Sequence, residues 1–255
     1  MVDNILKLFI IGIGVGNPEH LTVQAIKALN RATVFFIPDK GTEKAALRHL
    51  RTEICARFIE GDAYRFVDVP MPARARNPED YRSTVAAWHD AIAATYQRLL
   101  TAELADGECG ALLVWGDPSL YDSMIRIVDR IRANGVALEY EVIPGIGSVQ
   151  ALAAQHRIPL NRIGEPVLIT TGRKLGDTLP DDIGSAVVML DGDQSFRRVD
   201  QDLEIFWGAY LGTEDEILIS GRLADVRDEI ETRREQARQR HGWIMDSYLL
   251  RRRES

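Results

Sequence analysis

The chain has 255 residues, 45% hydrophobic and 27% charged, which is ordinary for a globular protein and allows one large domain or two smaller ones. Its formal net charge of −7 disfavours a nucleic-acid partner, because nucleic-acid binding requires a basic surface. Neither cysteine, Cys55 nor Cys109, has a His or Cys nearby at ligand spacing, so we expect neither a disulfide framework nor a zinc site.

The start of the chain lacks the features of a signal peptide. The apolar run 8–11 follows Lys7 and is soon interrupted by glycines, so it is too short to span a bilayer. We therefore expect a cytoplasmic protein that has no membrane partner.

Strands and helices alternate along the first half of the chain. The apolar run LKLFIIGIGVG predicts a strand, and a helix follows in which Asn17 is the expected N-cap and Pro18 the first residue. Next come a strand at ATVFFI, a loop and helix over PDKGTEKAALRHLR, an irregular stretch, and a helix over 81–105. A strand at ALLVW and a helix from Leu120 to Asn134 complete a pattern typical of a parallel sheet with crossover helices.

In the second half, strands sometimes follow one another directly, which predicts a mixed sheet. The expected strands are VALEYEVI, PVLIT, AVVML, GAYL, EILISG and WIMDSYLL, and the expected helices are a short alanine-rich one, QSFRRVDQDLEIF and ADVRDEIETRREQARQ. The sequence therefore predicts two α/β domains. The first, 1–119, is mainly parallel, and the second, 120–255, has a mixed sheet.

Three glycines, Gly12, Gly14 and Gly16, stand between the first strand and the first helix. Glycines at such a place let a backbone approach a pyrophosphate, as in nicotinamide-dependent oxidoreductases. The spacing here is GxGxG with Asn17 in place of the last glycine, and Asp39 is a doubtful ribose ligand. A tight turn beneath a helix explains these glycines equally well.

Three motifs in order give a more specific indication: IIGIGVGNPEHLT, VWGDPSLY and VIPGIGSVQALAA. This series resembles the tetrapyrrole methylases, and the resemblance covers essentially the whole chain. It implies the fold of class III S-adenosylmethionine-dependent methyltransferases, in which two α/β domains enclose a cofactor cleft. It also implies a homodimer that uses S-adenosyl-L-methionine, yields S-adenosyl-L-homocysteine and needs no metal.

The same resemblance assigns the cofactor contacts. They fall on Val15, Trp115, Gly116, Asp117, Leu120, Gly147, Ser148, the stretch 189–191 with Leu190 at its centre, and Gly212. Val15 departs from the family, which has proline there. The Gly-Asp-Pro turn is implied to close over the methionine end and ribose of the cofactor. The competing interpretation makes Asp117 the N-cap of the following helix, with Pro118 at its first position.

Three more stretches, FFIPDKGTEKAALRHLR, AYLGTEDEILISG and WIMDSYLLRRR, are similar to one member of the family. That member methylates carbon 1 of precorrin-5 and releases the extruded acetyl group as acetate. The alternatives are another precorrin methyltransferase, a nicotinamide-dependent oxidoreductase, or a tetrapyrrole-binding protein without turnover.

Acetate release requires a general base and support for an oxyanion. The candidates are Asp39 with Lys40, at the expected end of the second strand, and then Tyr121. Each also has a structural interpretation, as a turn residue or a helix-surface residue. Because the substrate is a polycarboxylate, cations must also contact it. The candidates are Arg65, Arg74, Arg76, Arg126, Arg173 and Lys174.

Overall fold

The computed structural model describes residues 5–39, 45–72 and 81–253. The chain divides into two compact units: the first comprises Met1–Gly14 and Pro18–Ile146, and the second comprises Val15–Asn17 and Gly147–Ser255. The boundary expected at 119/120 therefore lies inside the first unit. The reason is that VALEYEVI forms a strand of the first sheet, although its sequence resembles the strands that follow it.

The first unit contains a parallel five-stranded sheet in the order β3-β2-β4-β1-β5. Its strands are β1 (Leu6–Gly12), β2 (Val34–Asp39), β3 (Arg65–Pro70), β4 (Cys109–Val114) and β5 (Leu138–Ile143). Its helices are α1 (Val23–Leu29), α2 (Ala45–Phe58), α3 (Tyr81–Glu103) and α4 (Met124–Ala133). The predicted alternation of strand and helix is confirmed here.

Helices cover both faces of this sheet. Leu8 and Ile10 of β1 pack in one buried cluster with apolar residues of α3 and α4. Phe9 and Ile11 point to the opposite face and pack with residues of α1 and α2. Because successive side chains of a strand alternate between faces, a strand buried on both must be apolar throughout, as β1 is.

Three local expectations for this unit are wrong. Residues 65–70 form the edge strand β3 rather than irregular chain, although a proline ends the strand and most of its side chains are exposed. The cap of α1 is Thr22, whose hydroxyl accepts from the N–H of Ala25, and Pro18 begins a short 3-10 turn. Helix α4 begins at Met124 and not at Leu120.

The second unit has a five-stranded sheet in the order β6-β7-β10-β8-β9. This sheet is mixed, as predicted. The strands are β6 (Val167–Thr171), β7 (Ser185–Met189), β8 (Leu203–Ala209), β9 (Ile217–Arg222) and β10 (Asp246–Arg252). Only β6 and β7 pair in parallel among them. The helices are α5 (Ser148–His156) and α6 (Leu223–His241).

The helix expected over 194–206 is wrong. The structure has a 3-10 turn at Ser195–Arg198 and then strand β8. Alternate residues of β8, among them Ile205 and Trp207, pack in one cluster with α6. Gly208, next to Trp207 on the other face, lies under Leu152 of α5, so helices cover both faces of this sheet as well.

A buried polar network lies at the start of β10, around Asp246. Arg234 of α6 donates from Nε to Asp246 Oδ2 at 2.9 Å, and these side chains are 5% and 7% exposed. Trp207 Nε1 donates to the same oxygen at 3.0 Å, and Arg234 Nη2 donates to the carbonyl oxygen of Asp191 at 3.1 Å. The guanidinium thus ties α6 to β10 and to the residue after Leu190, and Asp246 adds β8 to the network through Trp207.

Within the described residues, no helix has the length and apolar character needed to cross a bilayer.

Replacing Arg234 by Met should lower the free energy of unfolding by about 3–5 kcal/mol, because the Asp246 carboxylate is left buried without its cation. The control is Arg222→Met, which removes an exposed pair with Asp202 and should cost about 0–1 kcal/mol. Urea denaturation of both variants measures the difference. Equal losses would show that burial does not set the strength of the Arg234 pair.

Candidate functional site

Three loops of the first unit meet where the parallel strands end. Gly12 ends β1, Gly116 follows β4, and Gly145 follows β5. A Cβ atom on Gly12 would lie 2.6 Å from the nitrogen of Gly145 and 2.8 Å from the carbonyl oxygen of Gly116. A Cβ on Gly145 would lie 2.2 Å from that same oxygen. Since no side chain fits at these distances, glycine is required at both positions. We call these three residues the glycine junction.

The first loop also pairs directly with the Gly-Asp-Pro turn. The N–H of Gly116 donates to the carbonyl oxygen of Gly14 at 2.8 Å, and both residues have left-handed backbones, with φ of 72° and 75°. Helix α1 begins only at Val23. The glycine loop therefore does not open directly into a helix N-terminus, which a dinucleotide-binding turn would use for a pyrophosphate. This geometry does not support the oxidoreductase interpretation.

Asp117 fastens the turn to the loop after β5. Its Oδ2 accepts from the N–H of Gly145 at 2.9 Å, and its Oδ1 accepts from the N–H of Ser119 at 2.8 Å and from the Ser119 hydroxyl. Burial alone would raise the pKa of this carboxyl, but these hydrogen bonds outweigh it and hold the pKa below its usual range. Asp117 does not cap a helix, since α4 begins at Met124.

Trp115 precedes the turn and carries a polar group without a partner. Its indole Nε1 is buried and donates to no acceptor in the described part of the chain. Buried donors are nearly always satisfied, which makes this N–H a candidate contact for a bound molecule. Leu120 and Tyr121 follow in the same loop, where Tyr121 is 44% exposed and adopts a left-handed backbone with φ of 54°.

The remaining predicted cofactor residues belong to the second unit. Gly147 is the N-cap residue of α5 and Ser148 is its first residue. Val15 is buried in the segment that joins this unit from the first loop, and its neighbour Gly16 lies against the backbone at 211–212. Gly212 itself has φ of 76° and its N–H donates to Glu216.

Leu190 follows β7 and is held in an unfavourable conformation. It is 63% exposed with φ of 52°, a value that costs energy for a branched side chain. The next residue, Asp191, is buried and accepts hydrogen bonds from the Tyr248 hydroxyl and from the N–H and hydroxyl of Ser195. A Cβ on Gly172 would lie 2.2 Å from Asp191 Oδ1. These contacts fix the backbone that presents Leu190 to solvent.

The structure describes some of the candidate catalytic and substrate-binding residues but not all of them. Asp39 is the last residue of β2 and is exposed, as expected for the carboxyl end of a parallel strand. Lys40 lies outside the described residues, as do the candidate cations Arg74 and Arg76. Arg65 pairs with Glu108 and Arg126 donates to the carbonyl oxygen of Asp122. Arg173 and Lys174 lie in a 3-10 turn after β6.

The sequence did not lead us to Gly145: the predicted cofactor residues of this loop are Gly147 and Ser148. The signal was present, because Pro144-Gly145 follows a buried strand, but its contact with Gly116 is long-range. Among the residues that the structure describes, no three His, Cys, Asp or Glu side chains are grouped to bind a metal ion.

Comparison with known proteins gives a consistent result. The sequence profile of the Tetrapyrrole (Corrin/Porphyrin) Methylases matches residues 7–227. A Precorrin-6A synthase (deacetylating) from Sinorhizobium sp is 56% identical over 247 residues, which are 96% of this chain and 95% of that protein.

Solved structures agree with this similarity. A protein from Corynebacterium diphtheriae described as related to cobalamin synthesis (CobF) is 38% identical with a TM-score of 0.82, over 97% of this chain and 98% of that one. A uroporphyrin-III C-methyl transferase from Thermus thermophilus, complexed with S-adenyl homocysteine, shares the fold at 18% identity. Its TM-score is 0.60, over 96% of each chain.

Replacing Asp117 by Asn should lower the free energy of unfolding at pH 7 by about 1–2 kcal/mol, since an amide cannot accept all three hydrogen bonds. The depressed pKa means that the carboxylate stabilises the fold above the pKa of an unfolded aspartate, about 3.9, and stops doing so as pH falls through the folded value. The difference between wild type and variant should therefore shrink below about pH 4.

The control is Asp106→Asn, a change at an exposed aspartate of the same unit, which should alter stability by less than about 0.5 kcal/mol. Chemical denaturation at several pH values measures both variants. A difference for Asp117→Asn that does not change with pH would contradict the proposed charge state.

Proposed function

The chain belongs to the tetrapyrrole methylases, and from this membership we propose that it methylates carbon 1 of precorrin-5 and releases acetate, giving precorrin-6A in cobalamin biosynthesis. The single observation that carries the proposal is the similarity to the Sinorhizobium synthase along nearly the whole chain. The methyl donor is S-adenosyl-L-methionine, and the fold is that of class III S-adenosylmethionine-dependent methyltransferases.

The residues present fit this cofactor. At the glycine junction a Cβ on Gly12 or Gly145 would clash with backbone, Trp115 offers an N–H that has no acceptor among the described residues, and hydrogen bonds hold the pKa of Asp117 below its usual range. In the second unit, Leu190 presents an apolar side chain to solvent at the end of a strand. Peptide groups, a side-chain hydrogen-bond donor and apolar side chains are the usual components of a site that binds a nucleoside with an amino-acid tail.

When bound, S-adenosyl-L-methionine supplies a methyl group on a positively charged sulfur that is already activated for transfer. The protein therefore has to orient the two reactants and exclude water. We assign the orientation to the backbone at Gly116, Gly147 and Gly212, and the exclusion of water to Val15 and Leu190. The conjugated macrocycle provides the carbon nucleophile, so no metal is required.

Acetate release is a second reaction, for which we propose Asp39 as general base. A water oxygen bonds to the acetyl carbonyl carbon while a proton passes to the Asp39 carboxylate. The carbon–carbon bond to the macrocycle then breaks, and its electron pair stays on the ring carbon. Lys40 is assigned to the oxyanion that forms on the carbonyl. Asp39 suits this role because it is exposed at the carboxyl end of β2. Tyr121 is the next candidate.

The homodimer implied by the resemblance and the cytoplasmic location expected from the sequence are further parts of this proposal. The proposal as a whole is tested by incubating the protein with precorrin-5 and S-adenosyl-L-methionine, and following methyl gain and acetyl loss by mass spectrometry. A tetrapyrrole-binding protein without turnover would leave the mass of precorrin-5 unchanged.

Replacing Trp115 by Phe should weaken binding of S-adenosyl-L-homocysteine about tenfold, because one hydrogen bond of about 1.4 kcal/mol is lost from the complex. The ligand-free protein should lose little stability, since the deleted N–H donates to no acceptor in the part of the chain that the structure describes. The control, Trp88→Phe, deletes an N–H that donates to the carbonyl of Pro72 and should lower stability but not affinity. Calorimetric titration and thermal unfolding separate the two patterns, and unchanged affinity in Trp115→Phe would exclude the indole from the site.

Replacing Asp39 by Asn should slow acetate release about 100- to 10,000-fold, the usual loss for a general base. Affinity for S-adenosyl-L-homocysteine should stay unchanged, because Asp39 lies outside the cofactor motifs. Lys40→Met should slow the same step, and Tyr121→Phe is the comparison variant. If Asp39→Asn and Lys40→Met release acetate at the wild-type rate, the base is elsewhere, and a slow Tyr121→Phe variant would identify it.

A further inference from the structure

Two neighbouring strands of the parallel sheet separate before they end. Strand β2 pairs with β4 only from Val34↔Gly110 to Phe36↔Leu112. Beyond that point β2 continues to Asp39 beside β3, while β4 continues to Val114 beside β1. The sheet is therefore open between the last residues of β2 and β4.

The connections after these two strands also diverge. The chain after β2 leads through α2 to β3 on one side, and the chain after β4 leads through α4 to β5 on the other. In open α/β sheets such a point leaves a crevice at the carboxyl ends of the strands, where ligands bind. This crevice lies directly beside the turn at Trp115 and Gly116.

The side chain of Arg51 from α2 occupies the opening. Its Nη1 donates to the carbonyl oxygen of Leu47 at 2.8 Å, so the side chain runs back toward the start of the helix and the carboxyl edge of the sheet. Its Nε donates to the carbonyl oxygen of Leu113 at 3.0 Å, the group that β2 would have paired if the ladder continued. Arg51 is only 8% exposed.

The charge of the guanidinium also acts on a group that belongs to the other face of the sheet. Tyr96 lies on α3, which covers the face opposite α2. Burial raises the pKa of the Tyr96 hydroxyl, and the charge of Arg51 opposes that rise. Asp122, in the loop after the Gly-Asp-Pro turn, also acts on Arg51. The positive charge thus lies between the two helical layers, at the level of the candidate site.

This buried cation has no carboxylate within ion-pair distance among the described residues. Its two hydrogen bonds go to carbonyl oxygens, and Nη2 makes none within that part of the chain. Burial lowers the pKa of Arg51, and the charge of Asp122 only partly offsets it. A buried charge is costly unless an opposite charge meets it. A neutral donor would have satisfied the carbonyl of Leu113, so the positive charge requires another explanation.

We propose that Arg51 is a carboxylate-binding residue for the macrocycle, which receives one acetate or propionate group in the opening between β2 and β4. This inference rests on the proposed function, because the polycarboxylate tetrapyrrole is the ligand. A guanidinium binds a carboxylate through parallel N–H groups, and a site that excludes water strengthens that contact. The bound carboxylate supplies the counter-charge that no described residue places within ion-pair distance of Arg51.

The test uses Arg51→Met, which keeps an unbranched apolar stem without the charge, and Arg51→Lys, which keeps the charge without the planar fork. Precorrin-5 binding is measured by absorbance titration, S-adenosyl-L-homocysteine binding by calorimetry, and stability by thermal unfolding. The matched control is Arg57→Met on the same helix, where an exposed arginine already pairs with Glu19.

Arg51→Met should weaken precorrin-5 binding about 10- to 100-fold while S-adenosyl-L-homocysteine affinity and the unfolding midpoint stay near wild type. Arg51→Lys should weaken precorrin-5 binding less, and Arg57→Met should change nothing. Wild-type precorrin-5 affinity in either Arg51 variant overturns the proposal. A parallel loss of stability and of both affinities overturns it too, since Arg51 would then only hold the strands apart.

Failure of the proposed function is a different result. It would appear in the wild-type enzyme, as absence of methyl transfer to precorrin-5, whereas failure of the Arg51 assignment appears only as equal binding by wild type and variants. If the wild type methylates another precorrin, the same comparison of affinities is made with that macrocycle.

Discussion

The close approach of three backbones at the glycine junction is the constraint on which the first unit depends. Gly12, Gly116 and Gly145 end or follow three adjacent parallel strands, at distances that admit no Cβ atom. The junction lets the loops after β1, β4 and β5 share one point, and Asp117 then fastens two of them through the N–H of Gly145. The carboxyl edge of these three strands is therefore built from peptide groups held at fixed positions.

Strained residues stand beside the motifs. Tyr121, Leu190 and Tyr210 all have a left-handed backbone without being glycine. Tyr121 adjoins Leu120 in the loop after β4, Leu190 follows β7 directly, and Tyr210 follows β8 directly, near Gly212. Such conformations persist only where the surroundings hold them. For Leu190 the holding contacts are the hydrogen bonds of Asp191, which connect through Arg234 to the buried network at β10. The stability of the second unit and the shape of its candidate site are therefore linked.

Much of this could be predicted from the sequence, because strong apolar runs and the order of three motifs carry the fold and the family. What could not be predicted follows from competing patterns. Phe196, Val199 and Leu203 recur at the spacing of a helix, whereas Leu203, Ile205 and Trp207 alternate as in a strand. The second pattern prevails because this segment pairs with β9 and β10. The strand β3 carries too little apolar surface to be recognised alone. The glycine junction and the placement of Arg51 are long-range contacts, and a linear pattern shows the residues without their partners.

The second unit is discontinuous in the chain, since Val15–Asn17 belongs to it while the residues on both sides belong to the first. During ribosomal synthesis those three residues emerge early, yet Gly16 packs against Leu211 and Thr213, which emerge almost last. Likewise β1 lies between β4 and β5, so its two partners appear only after most of the first unit has been made. A fragment beginning at Gly147 would lack part of its own fold. Because the second unit takes up Val15–Asn17 from the first loop, it can be completed only after residues 211–213 have been made, long after its own first segment.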